Sequence, residues 1–573
     1  MDWISDEHIA AVLTQYNPWW QDPACYKPKP KQLRRLVAEK AYLMIRHPQE
    51  RHFAILSGMR FAGKTTCLFQ IMEMLLEDRV PAVNIMYLSF ENPILKYAEI
   101  DRICRIYMGM NQGIKGSRFF LFDDILYKGR WDSWISNIYD RWTDVRLAAA
   151  SSVTPKEEHP EKSGEPQVRA DQGAANMSRH WTVLTVPSLS FYESCRLREI
   201  SMPGEYIDSK GIVRLLRVDE EGSSFAFIHP TYIQDQLIKY ICRGGFPHFT
   251  RLEKEDYEDA KLGPDIMRQM IGNDILDFFN IRQPNLIEQL MLYLACKQTP
   301  VFVARQAAKD LGNISVTTLE QYIAILECAH LIYCSYPLDL GGKGACKGHP
   351  RIYIADMGIR NALRTHLPEP DVQHNDRELS LGVELALFRQ LTSFYAVRRV
   401  KPDYYLDPIY AHENWDQLTL LECIYPEQYA KTKIEQASKT TKTENEPAQQ
   451  PVARVGYYRK RHEPGKMIDL VVDLPEGQHL YHMMFYKRPP FRKKYEIMSL
   501  TRRPDAKYLS ATIVTRRSGD HQTVGDGDRI FYQKEPASPI LYKLGQDEYE
   551  WRKEELYDER FEHDTITGFD GAE

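Results

Sequence analysis

The sequence predicts an α/β protein in three parts: a parallel-sheet core, a mostly helical middle, and a mixed α and β region toward the C-terminal side. Three observations carry this reading. The apolar run Phe53-Ala54-Ile55-Leu56 leads into Gly58-Met59-Arg60-Phe61-Ala62-Gly63-Lys64-Thr65-Thr66, and then into apolar residues at helical spacing, Leu68, Ile71, Met72, Leu75 and Leu76. Further short apolar runs alternate with helical patterns, as strand–helix–strand units do. Beyond residue 300 the pattern becomes helix, glycine turn, helix, and beyond 370 strands and helices mix.

Size and composition bound the answer. A chain of 573 residues exceeds what one hydrophobic core sustains, so several domains are expected. With 43% hydrophobic and 27% charged residues it reads as globular, and a formal charge of −5 gives no overall pull toward nucleic acid or anionic lipid. The ten cysteines form no CxxC pairs, the first residues lack a secretion-signal layout, and no apolar run is long enough to cross a bilayer. The expectation is a cytoplasmic protein with no membrane insertion. Residues 151–176 and 430–451 lack apolar periodicity and read as a solvated insertion and a linker. The expected division is a helical lead-in over 1–50, a nucleotide-binding core over 51–200, a helical lid over 201–295, a winged helix over 296–365 and a further α/β domain over 370–573.

The core is read from its glycines outward. Gly-x4-Gly-Lys-Thr after a strand and before a helix is the spacing of a phosphate-binding loop. Glycines let the backbone curl with its N–H groups inward, and the following helix turns its positive end toward phosphates. Gly58, Arg60, Gly63, Lys64, Thr65 and Thr66 are therefore expected to contact a nucleotide, with Lys64 on the β- and γ-phosphates and Thr65 on Mg²⁺.

The next strands follow in order. Residues 84–90 form a second strand stopped by Pro93, and Phe119-Phe120-Leu121-Phe122 a third, running into Asp123-Asp124. Buried strands tipped by carboxylates serve nucleotide sites, so Asp123 is assigned to Mg²⁺ through water and Asp124 to polarising the attacking water; a solvated surface turn is the bland alternative. Val145-Arg146-Leu147-Ala148-Ala149-Ala150 delivers Ser151 and Ser152 to the same edge, either to sense the γ-phosphate or simply to open the insertion. Strand 181–186 is preceded by Arg179, a candidate cation for the transition state in its own subunit or a neighbour's, or else a solvated arginine.

Together these motifs, with Pro187-Ser188-Leu189-Ser190-Phe191-Tyr192-Glu193, Asn17-Pro18-Trp19-Trp20 and Gly244-Gly245-Phe246-Pro247, resemble a large prokaryotic family. It comprises uncharacterised ATPases of the AAA+ superfamily that carry an added C-terminal domain of unknown function. The resemblance implies an AAA+-like P-loop NTPase core, ATP and Mg²⁺ as ligands, and a winged helix downstream. In that family the second acid is usually Glu and the sensor strand usually ends in Thr-Gly-Ser. Here Asp124 and Ala149-Ala150-Ser151 stand there, which implies slow turnover.

Residues 301–333 fit a helix-turn-helix leading into a strand, with Gly312 at the turn and Ser315 as N-cap. Its second helix has no Lys or Arg in its first turns, so protein packing is favoured over duplex reading; Lys343, Lys347 and Arg351 make the best local basic patch. Arg351-Ile352-Tyr353-Ile354-Ala355-Asp356-Met357-Gly358 matches the family's strand ending in Asp-x-Gly. Glu384, Asp469 and Lys487 are spaced like the acids and lysine of a restriction-endonuclease-like fold, whose chemistry needs clustered carboxylates around a divalent metal. Phe485 stands where the second-strand acid belongs, so a degenerate nuclease domain is expected, with His482 as a substitute ligand or a structural residue. From Gln546 onward the chain reads as a solvated helix with a frayed end.

The function expected is an ATP-binding switch with slow Mg²⁺-dependent hydrolysis, whose C-terminal region binds a protein partner. Self-association is allowed for. The competing readings are an ATP-dependent nuclease and a DNA-binding regulator.

Overall fold

The computed structural model describes residues 4–22, 33–47, 51–112, 115–128, 131–153, 181–200, 205–207, 213–218, 225–228, 230–251, 270–276, 279, 281, 283–297, 300–338, 340, 348–364, 375–398, 454–459, 467–474, 477–486, 508–516, 522–526 and 529–567. Its N-terminal part is a five-stranded sheet in the order β2-β3-β4-β1-β5, with every pair parallel. The strands are β1 (Phe53–Ser57), β2 (Ile85–Ser89), β3 (Arg118–Asp123), β4 (Val145–Ser151) and β5 (Trp181–Thr185). Parallel strands are covered on both faces, which is why β1 and β2 are buried at every position and read as unbroken apolar runs.

Helices α1 (Asp6–Tyr16), α2 (Leu36–Arg46), α3 (Lys64–Glu77), α4 (Pro93–Tyr97), α5 (Ile100–Met110) and α6 (Trp131–Arg141) belong to this layer. The Asn17-Pro18-Trp19-Trp20 segment seals the exposed edge at β2. Asn17 donates to Tyr87 O at 2.8 Å and accepts from Tyr87 N at 2.6 Å, while the Trp19 and Trp20 indoles donate to Ile85 O at 3.2 and 2.7 Å. Side chains thus satisfy an edge strand that would otherwise offer its backbone to another chain.

After α7 (Phe191–Leu197) comes a departure from expectation. The stretch 201–295, expected to be helical, opens with an antiparallel sheet of β6 (Glu205–Ile207), β7 (Val213–Val218) and β8 (Phe225–Ile228). Their aliphatic and aromatic residues favour a pleated backbone. Helices α8 (Pro230–Arg243), α9 (Pro247–Arg251) and α10 (Pro284–Cys296) follow.

Helix α11 (Ala304–Asp310), a turn with Gly312 at φ 96°, and α12 (Val316–Cys328) precede an antiparallel pair, β9 (Ile332–Ser335) and β10 (Arg351–Ile354). Ser315 caps α12, its side chain accepting from Thr318 N at 2.9 Å. Helices α13 (Met357–Leu363) and α14 (Asp376–Arg398) lead to a six-stranded mixed sheet in the order β11-β12-β13-β14-β16-β15. These strands are β11 (Arg454–Arg459), β12 (Met467–Leu474), β13 (Gly477–Met484), β14 (Ser510–Thr515), β15 (Gln522–Asp526) and β16 (Arg529–Pro536).

The final helix, α15 (Ala537–Thr567), starts nine residues before the expected Gln546 and is not purely solvated. Tyr542 and Tyr549 pack on Tyr192 of α7, with ring centroids 5.0 and 5.8 Å apart, and Glu548 accepts from Gln390 and Ser393 of α14. Acidic and basic residues on its outer face hide this apolar side from a composition reading.

Candidate functional site

The glycine loop joins β1 to α3 at the C-terminal edge of the parallel sheet, where such folds place their ligands. Gly58 cannot carry a side chain, because a Cβ there would lie 2.1 Å from Val186 O. Gly63 turns the chain into α3 with φ 97°, a conformation that suits glycine. Lys64 is buried and its Nζ donates to the carbonyls of Gly58 and Met59 at 2.8 and 3.0 Å, so its charge lies inside the loop.

Opposite the loop stands the tip of β3. Thr65 donates its hydroxyl proton to Asp123 Oδ2 at 2.6 Å, Tyr87 OH donates to the same oxygen at 3.1 Å, and Asp124 N donates to Asp123 Oδ1 at 3.1 Å. Burial pushes the Asp123 carboxyl above its ordinary value. Asp124, held at φ 53° and accepting from Ser89 Oγ at 3.4 Å, is pushed up to about 7 by burial first and then by the charges of Asp123 and Glu91. Lys64, and for Asp124 also Arg60, oppose this rise without cancelling it. A hydroxyl and a carboxylate at this spacing, completed by phosphate oxygens and water, form the sparse oxygen set that suits Mg²⁺.

Ser151 does not face this opening. It is fully buried, its hydroxyl donates to Val153 O at 2.5 Å, and its carbonyl accepts from Gly58 N at 3.1 Å. Ser152 is buried too. Arg179 lies outside the described residues.

Several supports come from far along the chain. Arg35, ahead of α2, donates to Ala62 O at 3.2 Å and Pro187 O at 2.9 Å and pairs with Glu193 at 3.1 Å. Burial would push the Glu193 carboxyl up, but Arg35, the Ser190 amide and Arg389 hold it below its ordinary value. Behind the loop, the Ser57 hydroxyl meets His330 Nε2 at 2.9 Å. At the mouth, Arg60 grips Glu91 Oε1 with both terminal nitrogens, at 2.9 and 3.0 Å, and donates to Tyr127 OH at 3.2 Å.

Three quoted motifs meet beside the loop. Asp356 accepts Gly358 N at 2.7 Å on Oδ1, and both Ser188 Oγ and Gly245 N at 2.8 Å on Oδ2. Arg389 of α14 donates to Ser188 Oγ and O at 2.7 and 2.6 Å. Gly244, at φ 81°, passes so close that a Cβ would lie 2.0 Å from Asp356 Oδ1, and Pro247 approaches Gly63. One carboxylate thus joins the end of the parallel sheet to α8 and α13.

The second cluster lies where β10, α14 and β12 converge. Glu384 and Asp469 do come together, but a guanidinium stands between them. Arg351 donates from Nη1 to Glu384 Oε1 at 2.6 Å and to Asp469 O at 2.9 Å, and from Nη2 to Asp469 Oδ1 at 3.5 Å. Tyr353 OH also donates to Glu384 at 2.7 Å, Met483 N donates to Asp469 Oδ2 at 2.8 Å, and His482 Nδ1 lies 3.0 Å from that oxygen. Arg351 is 2% exposed, so it is not part of a basic surface patch; buried carboxylates claim its charge. Phe485 is buried as well. Lys343, Lys347 and Lys487 lie outside the described residues.

The local sequence marked the loop and both aspartates. It had no way to mark Arg35, His330 or Glu91, whose roles arise from contacts across long sequence separations.

Residues 50–195 match the family described as AAA domain, and residues 234–370 match a domain of unknown function (DUF8612). The chain is similar to an uncharacterized protein of Haemophilus influenzae, 20% identical over 335 residues that cover 57% of this chain and 73% of that protein. It is also similar to an uncharacterized protein of Methanocaldococcus jannaschii, 20% identical over 319 residues, 55% of this chain and 63% of that protein. The match at residues 50–195, with the parallel sheet, indicates an AAA-like P-loop ATPase domain. Among the described residues no helix is long and apolar enough to cross a membrane.

Proposed function

We propose, from the AAA-like P-loop ATPase domain at residues 50–195, that this protein binds ATP with Mg²⁺ and hydrolyses it slowly as a switch acting on its C-terminal region. The observation that carries the reading is the 2.6 Å contact of Thr65 with the buried Asp123, opposite Lys64. Gly58, Gly63 and Thr66 cradle phosphates, Arg60 and Lys64 supply positive charge, and Thr65 and Asp123 hold the cation. Bound Mg²⁺ supplies charge neutralisation at the phosphate oxygens. Asp124 orients and deprotonates the attacking water, and its side chain is one methylene shorter than the family's usual glutamate, which makes hydrolysis slow. Arg179 completes the charge balance from this subunit or from a neighbour in a homo-oligomer.

Beyond the ATPase domain, residues 296–365 are proposed as a winged helix that packs against protein. Residues 370–573 are proposed as a nuclease-like domain that has lost its chemistry. The geometry at Arg351 supports that loss, because a guanidinium occupies the place between Glu384 and Asp469 that a catalytic cation needs. This disfavours the nuclease reading, and the burial of Arg351 weakens the DNA-binding one. The described contacts through Asp356, Ser57 and Arg389 support a route from the nucleotide loop to the partner-binding region.

Calorimetry with MgATP tests the first claim: wild-type protein takes up one nucleotide per chain and Lys64→Ala takes up none. Hydrogen exchange tests the switch. Exchange in β10, α13 and α14 should differ between ATP-loaded and ADP-loaded protein, and identical exchange would refute coupling. ATPase activity per chain that rises with protein concentration supports a neighbour's Arg179; a constant rate assigns it to the same chain.

A further inference from the structure

The ion pair between Arg60 and Glu91 is the feature of the nucleotide site that phosphate binding by the loop does not itself require. Arg60 belongs to the loop, two residues after Gly58, and Glu91 lies two residues past the end of β2, beside the acidic tip of β3. The register pairs Ser89 with Asp123, so Glu91 reaches the same sheet edge as the two aspartates. Both Arg60 nitrogens converge on one oxygen of Glu91, and Tyr127 OH takes a further proton of the same guanidinium. The charges of Glu91, Lys64 and Arg60 all act on the Asp124 carboxyl, Glu91 raising its pKa and the two cations lowering it. These three charged groups therefore lie within electrostatic reach of the Asp124 carboxyl.

We propose that Arg60 and Glu91 form a latch that distinguishes a nucleoside triphosphate from a diphosphate. This rests on the ATP-binding reading. With no terminal phosphate, Glu91 holds the guanidinium at the mouth of the loop. A triphosphate brings an anion of higher charge and takes the guanidinium in charge-assisted hydrogen bonds, which are stronger than a partly exposed ion pair. Glu91 has a side chain 45% exposed, so it gives up the pair at small cost and is left facing the space beside Asp124. A diphosphate leaves the latch closed. The loop thereby reports the γ-phosphate through a carboxylate just past the end of β2, with no covalent bond made or broken in the protein.

The test is calorimetry of a non-hydrolysable ATP analogue and of ADP, each with Mg²⁺, on the full chain. Arg60→Gln should weaken the analogue about tenfold and change ADP affinity by less than about twofold. Glu91→Gln removes the competing anion and should tighten the analogue about threefold, again leaving ADP nearly unchanged. In the double variant the gain from Glu91→Gln should vanish, because the guanidinium it competed for is gone. Circular dichroism establishes folding, and Arg60→Lys, which keeps the charge, serves where Arg60→Gln fails to fold. Equal weakening of both ligands by Arg60→Gln, or no gain from Glu91→Gln, overturns the latch alone. Wild-type protein that binds neither ligand overturns the ATP reading and the latch together.

Discussion

His330 Nε2 lies 2.9 Å from Ser57 Oγ, joining the residue that ends β1 to one 273 positions later in the chain. Ser57 is the last residue before the glycine loop, and its carbonyl accepts Val186 N at 2.6 Å, so the contact fixes the base of the loop from a second direction. Burial first, and the charge of Lys64 second, lower the imidazole pKa to about 4. It is neutral at physiological pH.

That neutrality predicts a pH-dependent stability. An unfolded histidine titrates near 6.5, so below that pH the unfolded chain binds a proton that the folded one refuses. The contribution is complete above about pH 6.5 and is lost as pH falls toward 4, amounting to about 3 kcal/mol at the lower limit. Urea unfolding at pH 7.5 and at 5 should show a smaller loss for His330→Gln than for wild type. Identical losses would mean that another group governs the acid limb.

Asp124 predicts the pH dependence of turnover. In the proposed role of general base it must be ionised, and without nucleotide its carboxyl is raised to about 7. kcat/KM should therefore rise about tenfold per pH unit below 7 and level off above it. A profile flat from pH 5.5 to 8.5 removes Asp124 from this role.

The same shift has the opposite sign for stability. A carboxyl whose folded pKa is raised favours the native state most below its unfolded value and loses that contribution as pH climbs toward 7. Without nucleotide, Asp124→Asn should raise the melting temperature at pH 8 more than at pH 5, while abolishing turnover. A lower melting temperature at pH 8 would contradict the reading.

Arg351 predicts a non-additive pattern. Arg351→Met leaves Glu384 and Asp469 buried together without their counter-charge, and should cost about 3–5 kcal/mol. Adding Glu384→Leu should recover part of that loss, since one of the stranded charges is then gone. Urea midpoints decide it, and a harmless Arg351→Met would show that the cluster is not a structural lock. Wild-type protein should leave DNA intact with Mg²⁺ or Mn²⁺.

Asp356 predicts the strength of the junction. Its two oxygens accept three protons, from Gly358 N, Ser188 Oγ and Gly245 N. Asp356→Asn turns one acceptor into a donor that faces other donors, and should cost about 2–4 kcal/mol. Asp356→Ala should weaken MgATP binding as well, because Pro247, two residues past Gly245, packs toward Gly63. Unchanged affinity would separate the junction from the loop.

Local order was legible where a short stretch carries its own physical reason. The strands that became β1 to β3 show as apolar runs because both faces are covered, and the loop shows because only glycines permit its close approaches. Ser315 shows as an N-cap because its own hydroxyl satisfies α12. The antiparallel sheet at β6 to β8 was missed because its short strands carry no clean alternation, and α15 was misjudged because its charges mask an apolar side.

What the chain's order of residues determined by itself is therefore local: a phosphate-binding turn between a buried strand and a helix, two acids at a strand tip, and the type of most elements around them. Tertiary structure alone decided which distant groups complete those pieces. Arg351, read as a surface cation, became the counter-ion of Glu384 and Asp469. His330, Arg35 and Glu91 became supports of one loop. Spacing along a chain encodes hydrogen bonds and burial within an element, whereas the partner of a buried charge is set by which elements pack together.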